Sequence, residues 1–145
     1  MKLLPLSVVL LALLAPATAT AKPILPVAAA AHKPHSLAWK VNRAPVDGRW
    51  SSIIDYYTGG SYSVALVNTM WQRAPRSRAV FQAAVHYHVP YRLLLGVWGI
   101  ESGYGRAWNH FGLIGPANGN LRHDAFYAAR LFNKFYRQRY GRFAV

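Results

Sequence analysis

Four stretches of the chain place apolar side chains at the three- and four-residue spacing of an amphipathic α-helix. They predict helices over residues 62–72, 78–88 and 91–101, and a fourth from Asn120 or Asp124 to about residue 140. Ser61 and Ser77 are the predicted N-caps of the first two. No stretch shows the two-residue alternation of a half-buried strand, so the sequence predicts an all-α fold.

The third predicted helix, 91–101, has almost no polar face. A helix that is apolar all round is typical of the buried centre of a domain. Gly96 and Gly99 lower its helix propensity, which predicts that a neighbouring backbone approaches closely there. A glycine-rich loop over 102–120 separates this helix from the last one.

Residues 1–21 have the pattern of a signal peptide: a basic start, an apolar run and a series of small residues. Cleavage is expected after Ala21, with Ala19 as the second choice. The alternative is an uncleaved anchor, although the apolar run is short for a bilayer span. Residues 22–49 are rich in proline and alanine and predict a basic, disordered linker, which leaves 50–145 as the folded domain.

The charge balance is strongly basic, with 17 lysines and arginines against 4 acidic residues and a net charge of +13. Such a protein is attracted to nucleic acid, anionic lipid or a carboxylate-rich polymer. Export makes nucleic acid the least available partner, so none is expected. The chain has no cysteine, and His86 and His88 lie on different helix faces, so neither a metal site nor a cofactor is predicted.

Glu101 is the single glutamate of the chain and ends the predicted buried helix. The partial negative charge of a helix C-terminus and the apolar neighbours both disfavour an ionised carboxylate, so its pKa is expected to be raised. A carboxylic acid kept neutral in this way can protonate a departing glycosidic oxygen. The alternative is a glutamate that faces solvent or pairs with Arg106.

The segment around this glutamate resembles the catalytic segment of lytic transglycosylases. Residues 88–106 read His-Val-Pro-Tyr-Arg-Leu-Leu-Leu-Gly-Val-Trp-Gly-Ile-Glu-Ser-Gly-Tyr-Gly-Arg, which is similar to that family's Val-Pro joint, apolar helix and Glu-Ser-Gly-aromatic turn. Residues 111–116 are similar to its Gly-Leu-Met-Gln segment, with Ile114 and Gly115 in place of Met and Gln. The Asn-His-Phe-Gly element at 109–112 resembles flagellar-type glucosaminidases. The resemblance, over 77–142, implies a lysozyme-like fold.

The resemblance implies that the protein acts in the bacterial envelope or periplasm, on the glycan strands of peptidoglycan. Glu101 would be the general acid and then the base in cleavage of the MurNAc-GlcNAc bond. Lytic transglycosylases use no protein nucleophile, because the C6 hydroxyl of the sugar closes onto the anomeric carbon. A chain with one glutamate and three aspartates suits that reaction.

The resemblance assigns substrate binding to seven residues that follow the acid: Ser102, Tyr104, Asn109, His110, Phe111, Gly112 and Leu113. Ser102 would orient the acid or only end the helix, and Tyr104 would be a sugar platform or plug the core. Asn109 and His110 would bind acetamido groups, with a solvent-facing side chain as the alternative for His110. The last three residues would form the cleft floor.

The family pattern continues with a further helix opening on Tyr-Asn-Ala-Gly, which this sequence lacks. The expectation is therefore a minimal cleft, a wall supplied by residues 50–72, or an envelope protein partner that completes it. A non-catalytic peptidoglycan-binding module and a glucosaminidase-type hydrolase remain open as alternatives. A cationic protein attracted to anionic envelope surfaces is the third class. Asp124 is expected to be a helix N-cap rather than a second catalytic acid.

Overall fold

The computed structural model describes residues 34–145, and this part of the chain is all-helical, as predicted. The predicted signal peptide, 1–21, and the beginning of the predicted linker lie outside the described residues. The six α-helices are α1 (Leu37–Arg43), α2 (Ser51–Thr58), α3 (Val64–Arg73), α4 (Arg78–Tyr87), α5 (Tyr91–Ser102) and α6 (Leu121–Tyr140). A short 3₁₀ turn, Gly48–Trp50, precedes α2. None of these helices is long and apolar enough to cross a bilayer.

Side-chain caps determine where several of the helices begin. The hydroxyls of Ser63 and Ser77 and the amide oxygen of Asn120 each accept a hydrogen bond from the backbone N–H three residues later. The predicted caps Ser77 and Asn120 are thus confirmed. Ser61 as the cap of α3 is wrong, because the backbone turns into the helix only after Ser63. Asp124 is not an N-cap either, since it lies inside the first turn of α6.

The structure differs from the predicted linker over residues 37–49, nearly half of its length. Helix α1 lies within the predicted 22–49 segment, and Val41 and Val46 are buried in the core. Ser36 caps α1 by accepting from the backbone N–H of Trp39. A helix of seven residues with a single buried residue, set among prolines and alanines, is too short to show a helical period, which is why the sequence pattern indicated a linker.

Helix α5 is the centre of the fold and is buried along nearly its whole length. It packs most extensively on α3, where a β-carbon on Gly96 would collide with the backbone oxygen of Val67. The predicted close backbone approach is therefore confirmed at Gly96. At Gly99 the neighbour is a side chain instead, the ring of Tyr104.

Helix α6 closes the core from the other side, against α4. Its inner face is buried and its outer face carries most of its basic residues. Trp50 packs on this inner face, with its ring centroid 4.7 Å from that of Tyr136. This contact holds the start of α2 against α6.

Candidate active site at Glu101

The last turn of α5 presents Glu101 at the edge of the core. The helix ends at Gly103, which adopts the left-handed conformation with φ of +56° and donates its N–H to the carbonyl of Gly99. Ser102 is buried, and its hydroxyl donates to the carbonyl of Trp98 at 2.9 Å and accepts from the N–H of Gly105 at 3.0 Å. Ser102 therefore fixes the turn after the acid and has its hydrogen bonds on backbone groups.

The carboxyl group of Glu101 lies directly against Gly112. A β-carbon on Gly112 would stand 2.7 Å from Oε1 of Glu101 and closer still to Oε2, so no larger residue fits without moving the acid. Gly112 also has a φ of +64°, which favours glycine. The structure thus brings together two of the predicted site residues, 11 positions apart in the chain.

The surroundings of Glu101 favour its protonated form. The side chain is half-buried, and this desolvation raises the pKa of its carboxyl group above the usual 4.5. A hydrogen bond from Tyr62 acts in the opposite direction, because it stabilises the ionised form. Within the described residues, the ion pairs are those of Arg49 with Asp47 and of His123 with Asp124, so Arg106 does not pair with the acid.

Two tyrosines near the acid were not among the predicted site residues. The hydroxyl of Tyr57 donates to the carbonyl of Phe111 at 2.6 Å and so ties α2 to the loop that carries Gly112. Burial and the neighbouring Glu101 charge raise the pKa of the Tyr57 hydroxyl far above its usual range. Tyr62 lies between α2 and α3 and reaches the acid itself. The segment 50–72 therefore does supply side chains beside the acid.

Asn109 and His110 are engaged inside the loop. The side-chain amide of Asn109 donates to the carbonyl of Leu113 at 2.9 Å, and its oxygen accepts from the N–H of the same residue at 2.8 Å. Nε2 of His110 lies 3.2 Å from the carbonyl of Gly119, while Nδ1 is buried with no hydrogen-bond partner. Both side chains hold the loop in shape, and His110 does not take the solvent-facing alternative.

The remaining predicted residues divide between packing and the cleft surface. Tyr104 takes the core-plug alternative: its hydroxyl donates to the carbonyl of Met70, and its ring meets Trp98 edge-on at 5.6 Å. Phe111 and Leu113 are buried below the loop, whereas Gly112 between them is exposed. The floor of the cleft beside the acid is therefore formed by the backbone of Gly112, and the side chains of Phe111 and Leu113 lie beneath it.

An open groove of about 200 Å³ begins at Gly112 and runs between the 112–116 loop, α2 and α6. Two large apolar side chains stand exposed on it, Tyr56 at 73% and Ile114 at 98%. The ring of Phe135 meets that of Tyr56 edge-on at 4.6 Å and holds it in place. The carboxyl of Glu101, which lies against Gly112, is thus adjacent to this groove.

No protein-family model, no curated protein and no solved structure matches the chain. The fold and the site define an all-α protein with one half-buried, protonatable carboxyl group beside an open groove. No group of histidine and acidic residues within 34–145 is arranged to hold a metal ion.

Proposed function

We propose that this protein is a peptidoglycan lytic transglycosylase that cleaves the MurNAc-GlcNAc bond with Glu101 as its acid and base. The observation that carries the proposal is the state of Glu101, which is half-buried, free of any cationic partner in the described residues, and raised in pKa. A carboxyl group with a raised pKa keeps its proton to a higher pH than an ordinary one and can give it to a poor leaving group.

The proposed reaction needs only this one carboxyl group. Glu101 protonates the bridging oxygen, and the bond from that oxygen to the anomeric carbon of MurNAc breaks. The C6 hydroxyl of the same sugar then attacks the anomeric carbon and gives its proton to the Glu101 carboxylate. The products are a 1,6-anhydromuramoyl end and a free 4-hydroxyl, and the acid is restored.

The positions of the other carboxylates support an intramolecular attack over hydrolysis. A retaining hydrolase places its second carboxyl about 5–5.5 Å from the first. Asp47 is paired with Arg49, and Asp124 is fully buried, so neither is free to act on a sugar. Asp55 is exposed on α2 with no ion pair. A glucosaminidase-type hydrolase would have to recruit this residue or a water molecule activated by Glu101.

The groove beside Gly112 is the proposed path of the glycan strand. Aromatic faces pack well on the apolar faces of pyranose rings, and Tyr56 presents the most exposed ring there. Tyr57 would keep the loop in contact with the acid through its bond to Phe111. The net charge of +13 would hold an exported protein of this kind near the anionic cell wall.

A glycan-binding module without catalysis is the second candidate, and one observation favours it. Asn109 and His110, which were expected to bind acetamido groups, have their polar atoms turned into the loop. A cleft with few free donors orients a substrate poorly. A partner that adds donors to the cleft would restore the enzymatic alternative.

Digestion of purified sacculi tests the proposal. The protein is incubated with sacculi between pH 4 and 8, and the soluble products are analysed by mass, with Glu101→Gln as the comparison. The proposal expects anhydromuropeptides from the wild type and none from the variant. Reducing-end products would indicate a hydrolase. No release at any pH, with the protein still pelleting on sacculi, would contradict catalysis and favour the binding module.

A further inference from the structure

A second groove shares Tyr127 with the groove at Gly112, and neither Glu101 nor Gly112 lines it. It encloses about 430 Å³ between the end of α4 and the first turns of α6. Arg122, His123 and Arg130 line it, together with aromatic rings and two asparagines. Tyr127 also lines the groove that begins at Gly112. The two grooves are therefore neighbours along the surface.

The cationic side chains of this groove are available to a ligand. Arg122 is held in place by a hydrogen bond from Nη1 to Oε1 of Gln82 at 2.7 Å and by the ring of Phe126, 5.2 Å away. Arg130 is exposed and has no hydrogen bond or ion pair in the described part of the chain. One arginine is thus pre-positioned and the other is unpaired.

The two asparagines add oriented donors. Oδ1 of Asn118 accepts from the backbone N–H of Asn120 at 2.9 Å, and Oδ1 of Asn120 accepts from the N–H of His123 at 3.1 Å. With both oxygens occupied by backbone groups, each side chain has its NH₂ group left to donate. Both residues are exposed, so these donors are accessible to a ligand.

The carboxylate of Asp124, which contacts two residues of the groove, does not itself line it. Asp124 is fully buried, and its Oδ1 accepts from the N–H of Asn118 at 3.2 Å and from Nδ1 of His123 at 3.0 Å. With Nδ1 of His123 directed to Asp124, the side chain remains nearly half exposed. No acidic residue lines the groove itself.

We propose that this groove is a binding site for a carboxylate or phosphate group, recognised by Arg122, Arg130 and the NH₂ groups of Asn118 and Asn120. Guanidinium and amide donors together match the oxygens of such an anion, and the bonds are charge-assisted. The Tyr87 and Phe126 rings beside them would cover the apolar part of the same ligand. This site goes beyond the proposed function and requires no cleavage at Glu101.

Titration of the ¹⁵N-labelled full chain, followed by NMR, tests the site. The probes are inorganic phosphate, N-acetylmuramic acid as a carboxylate, and neutral N-acetylglucosamine as the control. We expect saturable shifts at Asn118, Asn120 and Arg130 with one or both anions and none there with the neutral sugar. Phosphate alone would assign a phosphate ligand, and muramic acid alone a carboxylate ligand, and either result supports the site.

Charge-matched variants separate this site from general attraction to a basic protein. Arg130→Gln and Arg122→Gln should each weaken anion binding about tenfold. Lys134→Gln removes the same charge one turn further along α6, outside the groove, and should change the affinity less than about twofold. Equal weakening by Lys134→Gln, or no saturable shift with either anion, would overturn the proposal. Glu101→Gln should bind the anions normally, so failure of the proposed cleavage would leave this test unaffected.

Discussion

Two carboxyl groups of the fold each lie in a terminal turn of a helix, and their surroundings are opposite in kind. Glu101 lies in the last turn of α5, where the helix carries partial negative charge, and Asp124 lies in the first turn of α6, where that charge is positive. Asp124 is fully buried and accepts two hydrogen bonds. Glu101 is half-buried, and burial raises its pKa.

The difference separates a carboxylate that supports the fold from one that is poorly placed for stability. Asp124 holds the end of the 103–120 loop through the N–H of Asn118 and stabilises the start of α6. Glu101 gains only the Tyr62 hydrogen bond and loses hydration. Both charges raise the pKa of the Tyr57 hydroxyl, so the two groups lie near the same tyrosine. An unfavourable carboxylate at a groove is the arrangement expected of a functional acid.

The largest expected effect is on glycan cleavage. Glu101→Gln keeps the shape of the side chain and removes its proton transfer, so the rate of glycan release should fall roughly 10²–10⁴-fold. The rate is measured as soluble muropeptide released from sacculi. Asp55→Asn, an exposed change on α2, is the control and should leave the rate unchanged. Equal rates for Glu101→Gln and the wild type would show that Glu101 is not a catalytic acid and would remove its contrast with the structural carboxylate of Asp124.

Gly112→Ala tests the contact between the loop and the acid. The added methyl group would collide with the Glu101 carboxyl and displace it, and a misplacement near 1 Å costs up to about 10²-fold in rate. Gly115→Ala is the matched control, because Gly115 also has a positive φ, +88°, but faces open space. Both variants have the backbone strain, and only Gly112→Ala should lose most of its activity. Equal losses would show that strain alone is responsible.

Asp124→Ala should act on stability. It leaves the N–H of Asn118 without its acceptor and opens a small cavity, so the free energy of unfolding should fall by about 1–3 kcal/mol. Urea denaturation at neutral pH gives this quantity directly. A variant as stable as the wild type would show that the buried carboxylate is not a structural group.

Glu101→Gln should have the opposite effect on stability, with a defined pH dependence. The folded-state pKa of Glu101 is raised above its unfolded-state pKa, so the folded protein binds this proton more tightly. The free energy of unfolding of the wild type therefore falls as the pH rises from the unfolded-state pKa through the folded-state pKa. The variant should therefore unfold at a higher urea concentration than the wild type at pH 7. The difference should vanish at a pH below the unfolded value. A constant difference across pH would contradict the raised pKa.

The strongly periodic parts of the fold were predictable from sequence. Helices α4, α5 and α6 match their predicted ranges to within one or two residues, because long apolar stripes and clear caps define them. Helix α1 was missed because it has only seven residues and lies among prolines and alanines. The start of α3 was misplaced by two residues, since Ser61 and Ser63 are both good caps and only the backbone path chooses between them.

The position of the acid was predictable from sequence, whereas the side chains that surround it were not. Glu101 and Gly112 lie in one motif-bearing segment, and the structure places them in contact. Tyr57 reaches the loop through a hydrogen bond to a residue 54 positions away, a pairing that no local pattern encodes. Asn109 has the right chemistry for an acetamido group but satisfies both its polar atoms on Leu113. Residue type thus indicated the acid, and only the tertiary contacts showed which neighbours are free.

The most direct test of the central claim is the pKa of Glu101 itself. Glu101 is the only glutamate in the chain, so selective ¹³C labelling of glutamate gives one side-chain carboxyl signal that needs no assignment. The chemical shift is followed through a pH titration, and Tyr62→Phe is titrated beside it. We expect a midpoint above 4.5 for the wild type and a higher one for the variant, which lacks the bond that favours the ionised form. A wild-type midpoint at or below 4.5 would show an ordinary ionised carboxylate and would rule out Glu101 as an acid with a raised pKa.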